Sequence, residues 1–218
     1  MMRKLAFGLA VSVLAAGSAS AAQRVSATPD DLSVQAMHNF ASCVADTTPK
    51  GAAELLALDY RSPEYAKRVR RYSSGHADGR CLFGRMQFSQ VLLAGGLAER
   101  LLIEKTKSQS LSRLVAYDPA GKPIVARSPM EMTSICVVRA EPAKVYNIFR
   151  TEPTSGDESH AMNAIAPALM NCVKAGQKMT LNKPGLRAAL ALAAYRLASQ
   201  PEVYPAADGK PTEASTPQ

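Results

Sequence analysis

Four cysteines, three histidines and one dense basic segment are the residues of this 218-residue chain whose types and spacing bear on chemistry. Cys43 and Cys136 lie 93 residues apart, and Cys81 and Cys172 lie 91 apart. No two form a Cys-x-x-Cys pair, so redox catalysis is not expected. His38 and His76 each precede a cysteine by five residues, but no histidine stands at the matching places before Cys136 or Cys172, so neither zinc nor any other metal is expected. An even count in an exported chain favours disulfides, and four cysteines allow three connectivities.

The histidines offer little as catalysts. His38 falls on an expected helix beside its apolar stripe and reads as a packed or edge residue. His160 lies in the first turns of another helix and reads as solvated. His76 sits in Ser73-Ser74-Gly75-His76-Ala77-Asp78-Gly79-Arg80, a polar loop beside Cys81. A serine, a histidine and an aspartate are present there, but catalytic triads draw their members from distant elements that fix each at an angle. Glu99 and Asp59 are candidate acids or bases with no evident second group. There is no HExxH, no GxSxG and no phosphate-cradling glycine loop. No cofactor is expected.

The charge distribution says more. Arg61, Lys67, Arg68, Arg70, Arg71, Arg80 and Arg85 face only Glu64 and Asp78 within one segment, a local excess of +5. Lys67, Arg68, Arg70 and Arg71 belong to one short helix, interleaved with Tyr60, Tyr65 and Tyr72. Such a cluster attracts anionic lipid, polysaccharide or phosphate. It also reads as an ordinary solvated face. Nucleic acid is the less expected partner for an exported chain.

The address comes from residues 1–21. Arg3 and Lys4 precede an apolar run from Leu5 to Ala16, and Ala19-Ser20-Ala21 matches a small-x-small cleavage site, with Ala22 as an alternative. Cleavage after Ala21 would leave 197 residues and take the formal net charge from +8 to +6. The most apolar later stretch, Leu186 to Ala198, is short and contains Arg187 and Arg196, so it does not read as a membrane span. A periplasmic or secreted protein is expected.

The elements that hold these residues look duplicated. Cys43-Val44, Pro49, Leu55-Leu56 and Ser62 align without a gap with Cys136-Val137, Pro142, Ile148-Phe149 and Ser155. Met86, Phe88 and Ser89 then align with Met179, Leu181 and Asn182; Leu93, Leu97 and Ala98 align with Leu186, Leu190 and Ala191. The duplication selects one pairing of the cysteines, Cys43–Cys81 and Cys136–Cys172, each closing a staple within its own half. Val34, Met37, Phe40-Ala41 and Val44 recur at helical steps, with Asp30, Asp31 or Ser33 as cap. Thr48-Pro49 and Ser62-Pro63 read as helix starts with proline in the first turn. Ser155 opens a helix expected to run through Cys172 to Gly176, bent by Pro167. Asn182-Lys183-Pro184 opens the last helix, with Leu186, Leu190, Ala193-Ala194 and Leu197 as its stripe.

Gly95-Gly96 lie inside the corresponding helix of the first half, where glycine is unfavourable and calls for a close approach of helices or of a ligand. Leu114 to Tyr117 and Ile124 to Ala126 read as two β-like runs around Asp118-Pro119-Ala120-Gly121-Lys122-Pro123, either a short hairpin or an extended linker. The expected organisation is therefore mainly α: a lead-in over 22–35, helical repeats over 36–104 and 130–198, a linker over 105–129 and a disordered tail over 199–218.

The strings Cys43-Val44-Ala45…Leu55-Leu56, Cys136-Val137-Val138…Pro142 and Leu186-Arg187-Ala188-Ala189-Leu190-Ala191 resemble those of small exported alphaproteobacterial proteins that remain uncharacterised. The resemblance implies the paired-cysteine helical architecture over most of residues 36–198 and no activity. It also implies a Leu-Ala-Glu in the last helix of each unit, which Leu97-Ala98-Glu99 keeps and Leu190-Ala191-Leu192 does not. Three functions follow as expectations. The first is a non-enzymatic envelope module binding a protein partner or an anionic surface. The second is a periplasmic hydrolase with His76 or His38 as base. The third is a structural dimerising unit with an exposed apolar patch at Leu92, Leu93 and Leu97.

Overall fold

A computed structural model describes residues 30–71, 81, 89–118, 124–176 and 182–199. The chain is mainly α-helical, with no strand among the described residues. The helices are α1 (Asp31–Thr47), α2 (Pro49–Ala57), α3 (Pro63–Arg71), α4 (Gln90–Thr106), α5 (Leu111–Leu114), α6 (Pro129–Ala140), α7 (Pro142–Phe149), α8 (Gly156–Ala164), α9 (Ala166–Cys172) and α10 (Lys183–Ala198).

Local chemistry sets where they start. The side chains of Asp30, Ser128, Ser155 and Asn182 each accept a backbone N–H three residues on, meeting one of the donors a helix start leaves open. The Ser62 hydroxyl does the same for the Tyr65 N–H at 3.1 Å. Pro49, Pro129, Pro142 and Pro184 lie in first turns, where no N–H is needed. The helix expected from Ser155 to Gly176 is broken at Ile165 into α8 and α9, and Pro167 sits in the first turn of α9. The ring of Pro167 cannot share a helix with the carbonyls preceding it, so a break replaces the expected bend.

The two longest late elements, α4 and α10, pack along each other at the centre. Helix α1 covers α4 and α6 covers α10, while α2 lies against α4 and α7 against α8 and α10. Leu97, Leu102, Val137, Ile148 and Leu190 are fully enclosed in a single core that draws on all of these helices. The central contact is close because Gly95 has no side chain: a Cβ there would overlap both the Cα and the Cβ of Ala188. Its neighbour Gly96 faces the other way, and a Cβ built on it would fall 2.6 Å from that of Ala41 on α1. Close helix approach is thus the reason for the Gly95-Gly96 pair.

Disulfides join Cys43 to Cys81 and Cys136 to Cys172, the pairing read from the sequence spacing. The first ties α1 to the segment after α3, and the second ties α6 to the end of α9. No described helix is long and apolar enough to cross a membrane.

Leu114, where the first β-like run was expected, ends the helical turn α5, and Val115 is buried behind it. Burial of Leu111 and Val115 outweighs the local extended preference there. The turn expected at 119–123 lies outside the described residues, as do the expected signal peptide over 1–21, residues 22–29, residues 72–80 with His76 and Arg80, residues 82–88 with Arg85, residues 177–181, and the expected tail beyond Ser199. The expected apolar patch is absent: Leu93 and Leu97 are buried and Leu92 is half-buried.

Gly95→Ala is expected to lower unfolding stability by about 1–3 kcal/mol despite alanine's better helix propensity, because the added carbon meets backbone. Gly156→Ala, with open space around it, is expected to be neutral or stabilising by up to ~1 kcal/mol. Urea unfolding of the two variants side by side checks both.

Candidate functional site

The central helix α10 carries two buried arginines, Arg187 and Arg196. Nine residues at about 100° each put them on opposite sides of the helix. Each meets its own set of partners, and a cavity adjoins each.

Arg187 donates to both oxygens of Glu99, from Nε at 2.8 Å and from Nη2 at 2.7 Å. Its Nη1 donates to Glu158 Oε1 at 2.8 Å, and Nη2 also reaches the Thr151 carbonyl at 2.9 Å. Glu158 is placed by the Ser155 cap, and its second oxygen accepts the Thr154 N–H at 2.8 Å, holding a turn in which Thr154 has a φ of 67°. Gln35 on α1 donates to the Thr154 hydroxyl at 2.8 Å, so α1 is fastened to the same turn. Burial opposes the charge on Arg187, but the two carboxylates outweigh it and hold its pKa above the usual value.

His38 borders this cluster, its Nε2 3.8 Å from Glu99 Oε1. Burial pushes its pKa below the ordinary histidine value; Glu99 opposes that, Arg187 adds to it, and Glu152 and Glu158 oppose it further. His38 and Glu99 line a cavity of about 320 Å³, open mouth included, together with Met37, Gly95, Pro153 and Ala188. Among the described residues no serine, cysteine or threonine lines it. His160 is exposed on α8.

On the other side of α10, Arg196 pairs with Glu131 of α6. A cavity of about 500 Å³, open mouth included, lies between α2–α3 and α6–α10. Arg61 reaches it, with its Nη2 2.7 Å from Asp59 Oδ2 and 2.9 Å from the Arg127 carbonyl. The Arg61 guanidinium holds the Asp59 carboxyl down at about 2. Arg127 donates to the carbonyls of Leu58 and Ala57. Tyr65 also lines the cavity; it is completely buried, and its hydroxyl has no hydrogen-bond partner among the described residues.

The expected basic patch is only partly assembled. On α3, Lys67 and Arg70 are exposed, and Arg68 bends back to Glu54 at 3.2 Å. Arg61 belongs to the cavity wall and not to that face. Arg71 ends α3, while Arg80 and Arg85 lie outside the described residues. Glu99 and Asp59, read from sequence as lacking partners, both have one. Arg187, Glu158, Arg196 and Glu131 were not singled out as a site. The available signal was the presence of two arginines within the apolar run of α10, where a charge needs an acid from elsewhere in the chain.

Compared with protein-family models, curated proteins and solved structures, the chain matches none.

Removing Arg187 strands two buried carboxylates, and Arg187→Ala is expected to cost about 3–5 kcal/mol. Arg100→Ala, which breaks the more exposed pair with Asp46, should cost under ~1 kcal/mol. Denaturant unfolding that gave equal losses would contradict the assignment. The depressed pKa of His38 sets a direction with pH. Unfolded, the imidazole protonates near pH ~6.5, before the folded chain accepts the proton, so His38 withdraws stability as pH falls from about 7 towards its lower folded pKa. His38→Gln should therefore lose less stability than the parent between about pH 7 and pH 5, measured by unfolding at each pH.

Proposed function

We propose that this is an exported, non-enzymatic binding module that attaches to an anionic component of the cell envelope, lipid or glycan, through the basic face of α3. The observation that carries the reading is the two-sidedness of α3. Tyr65 and Val69, four residues apart, are buried in the core, while Lys67 and Arg70 stand exposed on the other side. The helix cannot turn those cations away without uprooting Tyr65. The segment that follows is clamped at Cys81 to α1, which steadies the face. A secretory leader over residues 1–21 and two disulfides both suit an oxidising compartment outside the cytoplasm.

We infer further that residues 36–104 and 130–198 are copies of one helical unit. Pro49 and Pro142, Pro63 and Gly156, and Gln90 and Lys183 begin helices, and the members of each pair are 93 residues apart. Gly95 touches Ala188, its own counterpart at that offset, as residues on a two-fold axis do. The two disulfides occupy corresponding places.

On a heparin matrix, and with vesicles containing an anionic phospholipid, the oxidised protein is expected to be retained at low salt and released steeply as salt rises. The triple variant Lys67→Ala, Arg68→Ala, Arg70→Ala should elute with the void. Retention unaltered by that variant would remove the α3 face from consideration.

A further inference from the structure

We propose that the Cys136–Cys172 disulfide is a redox-responsive site, independent of the outer face of α3, which a dithiol reductant opens while Cys43–Cys81 stays closed, and that its opening frees α9. The two bridges close loops of nearly equal length, with sequence separations of 36 and 38 residues, so chain entropy favours neither. Access separates them. Cys136 is exposed on α6 and Cys172 is half-buried at the end of α9, whereas Cys81 is buried and Cys43 is half-buried on α1. The residues after Cys43, Val44 and Ala45, are themselves buried, and the Thr47 hydroxyl stands 3.6 Å from the Cys81 sulfur. Exchange begins when a thiolate reaches a disulfide sulfur, and exposed bridges are the labile ones.

What the second bridge secures is only lightly held by packing. No residue of α9 is buried. Among the described residues the helix packs mainly against α6 and more lightly against α8, and Leu169 and Cys172 are its half-buried contacts with the core. Ile165, fully enclosed at the joint between α8 and α9, anchors the chain there and sets the point at which release stops. Once the bond is cut, only those shallow contacts keep the two sulfurs together, which favours the reduced form. Leu169 is then withdrawn from the core into solvent beside Met170, which is exposed already. The exchange balances as a two-electron transfer. A thiolate of the dithiol attacks one cysteine sulfur and expels the other as a thiolate, which takes up a proton. The second thiol of the reductant then attacks the mixed disulfide, leaving two cysteine thiols and one oxidised dithiol.

The experiment treats the folded, oxidised protein with dithiothreitol, traps free thiols with iodoacetamide at intervals, and maps them by mass spectrometry. Cys136 and Cys172 are expected to be labelled at least about tenfold sooner than Cys43 and Cys81. In denaturant the two bridges should open at rates within about twofold of each other, since their loops match. Hydrogen exchange of the selectively reduced and alkylated protein should quicken over 166–172 and stay slow in α4 and α10. The double variant Cys136→Ser, Cys172→Ser should show the same exchange pattern with no reductant added, and bind more of an apolar dye than the oxidised parent. Earlier opening of Cys43–Cys81, simultaneous opening of both bridges in the folded protein, or a rate difference that persists in denaturant would each overturn the proposal. So would α9 exchange unchanged after opening, or protection lost throughout the molecule. Should the double variant fail to fold, the reduced and alkylated protein decides alone.

Discussion

The closeness of α4 to α10 is the constraint on which the other contacts depend. Gly95 lets the two backbones approach until Ala188 occupies the space a side chain would have taken. At that separation the Arg187 guanidinium, one residue away on α10, reaches both oxygens of Glu99 on α4. A wider crossing would leave the arginine and the glutamate facing each other across a gap too dry for either. The unfavourable helix propensity of Gly95 is thus offset by a charge network and not only by packing.

That network does more for register than for stability. A buried ion pair gives back in attraction much of what desolvation takes away. Its value lies in the number of elements that must agree before it closes. Arg187 needs Glu99 from α4, Glu158 from α8 and the Thr151 carbonyl from the turn between α7 and α8. Gln35 then fastens α1 to the same turn through Thr154. A slip of one residue along α10 would strand two carboxylates in the core. The charges inside the molecule are consequently committed to one another.

Features governed by neighbouring residues were legible in the sequence. The starts at Ser155 and Asn182 depend on a side-chain cap and that at Pro49 on a proline in the first turn, chemistry that spans four residues. The cysteine pairing was legible because two spacings nearly coincide. What escaped depended on distance along the chain. Arg187 lies 88 residues from Glu99 and 29 from Glu158, and no periodicity links them. In sequence, Arg187 and Arg196 read as interruptions of an apolar stripe, whereas in the fold they are its anchors. The Leu114 run failed for a related reason: β-branched and aromatic content suggested extension, but burial of Leu111 and Val115 settled a helical turn. The large cavity left almost no trace in the sequence.

The cysteines are joined in the order in which they occur, first to second and third to fourth. For a chain that emerges amino end first into an oxidising space, Cys81 is the earliest mate available to Cys43, and the correct one. When Cys136 appears, the earlier pair can already be closed, so the only remaining choice is also correct. Were the chain to reach such a space, oxidation in order of arrival would yield the native links with no reshuffling needed.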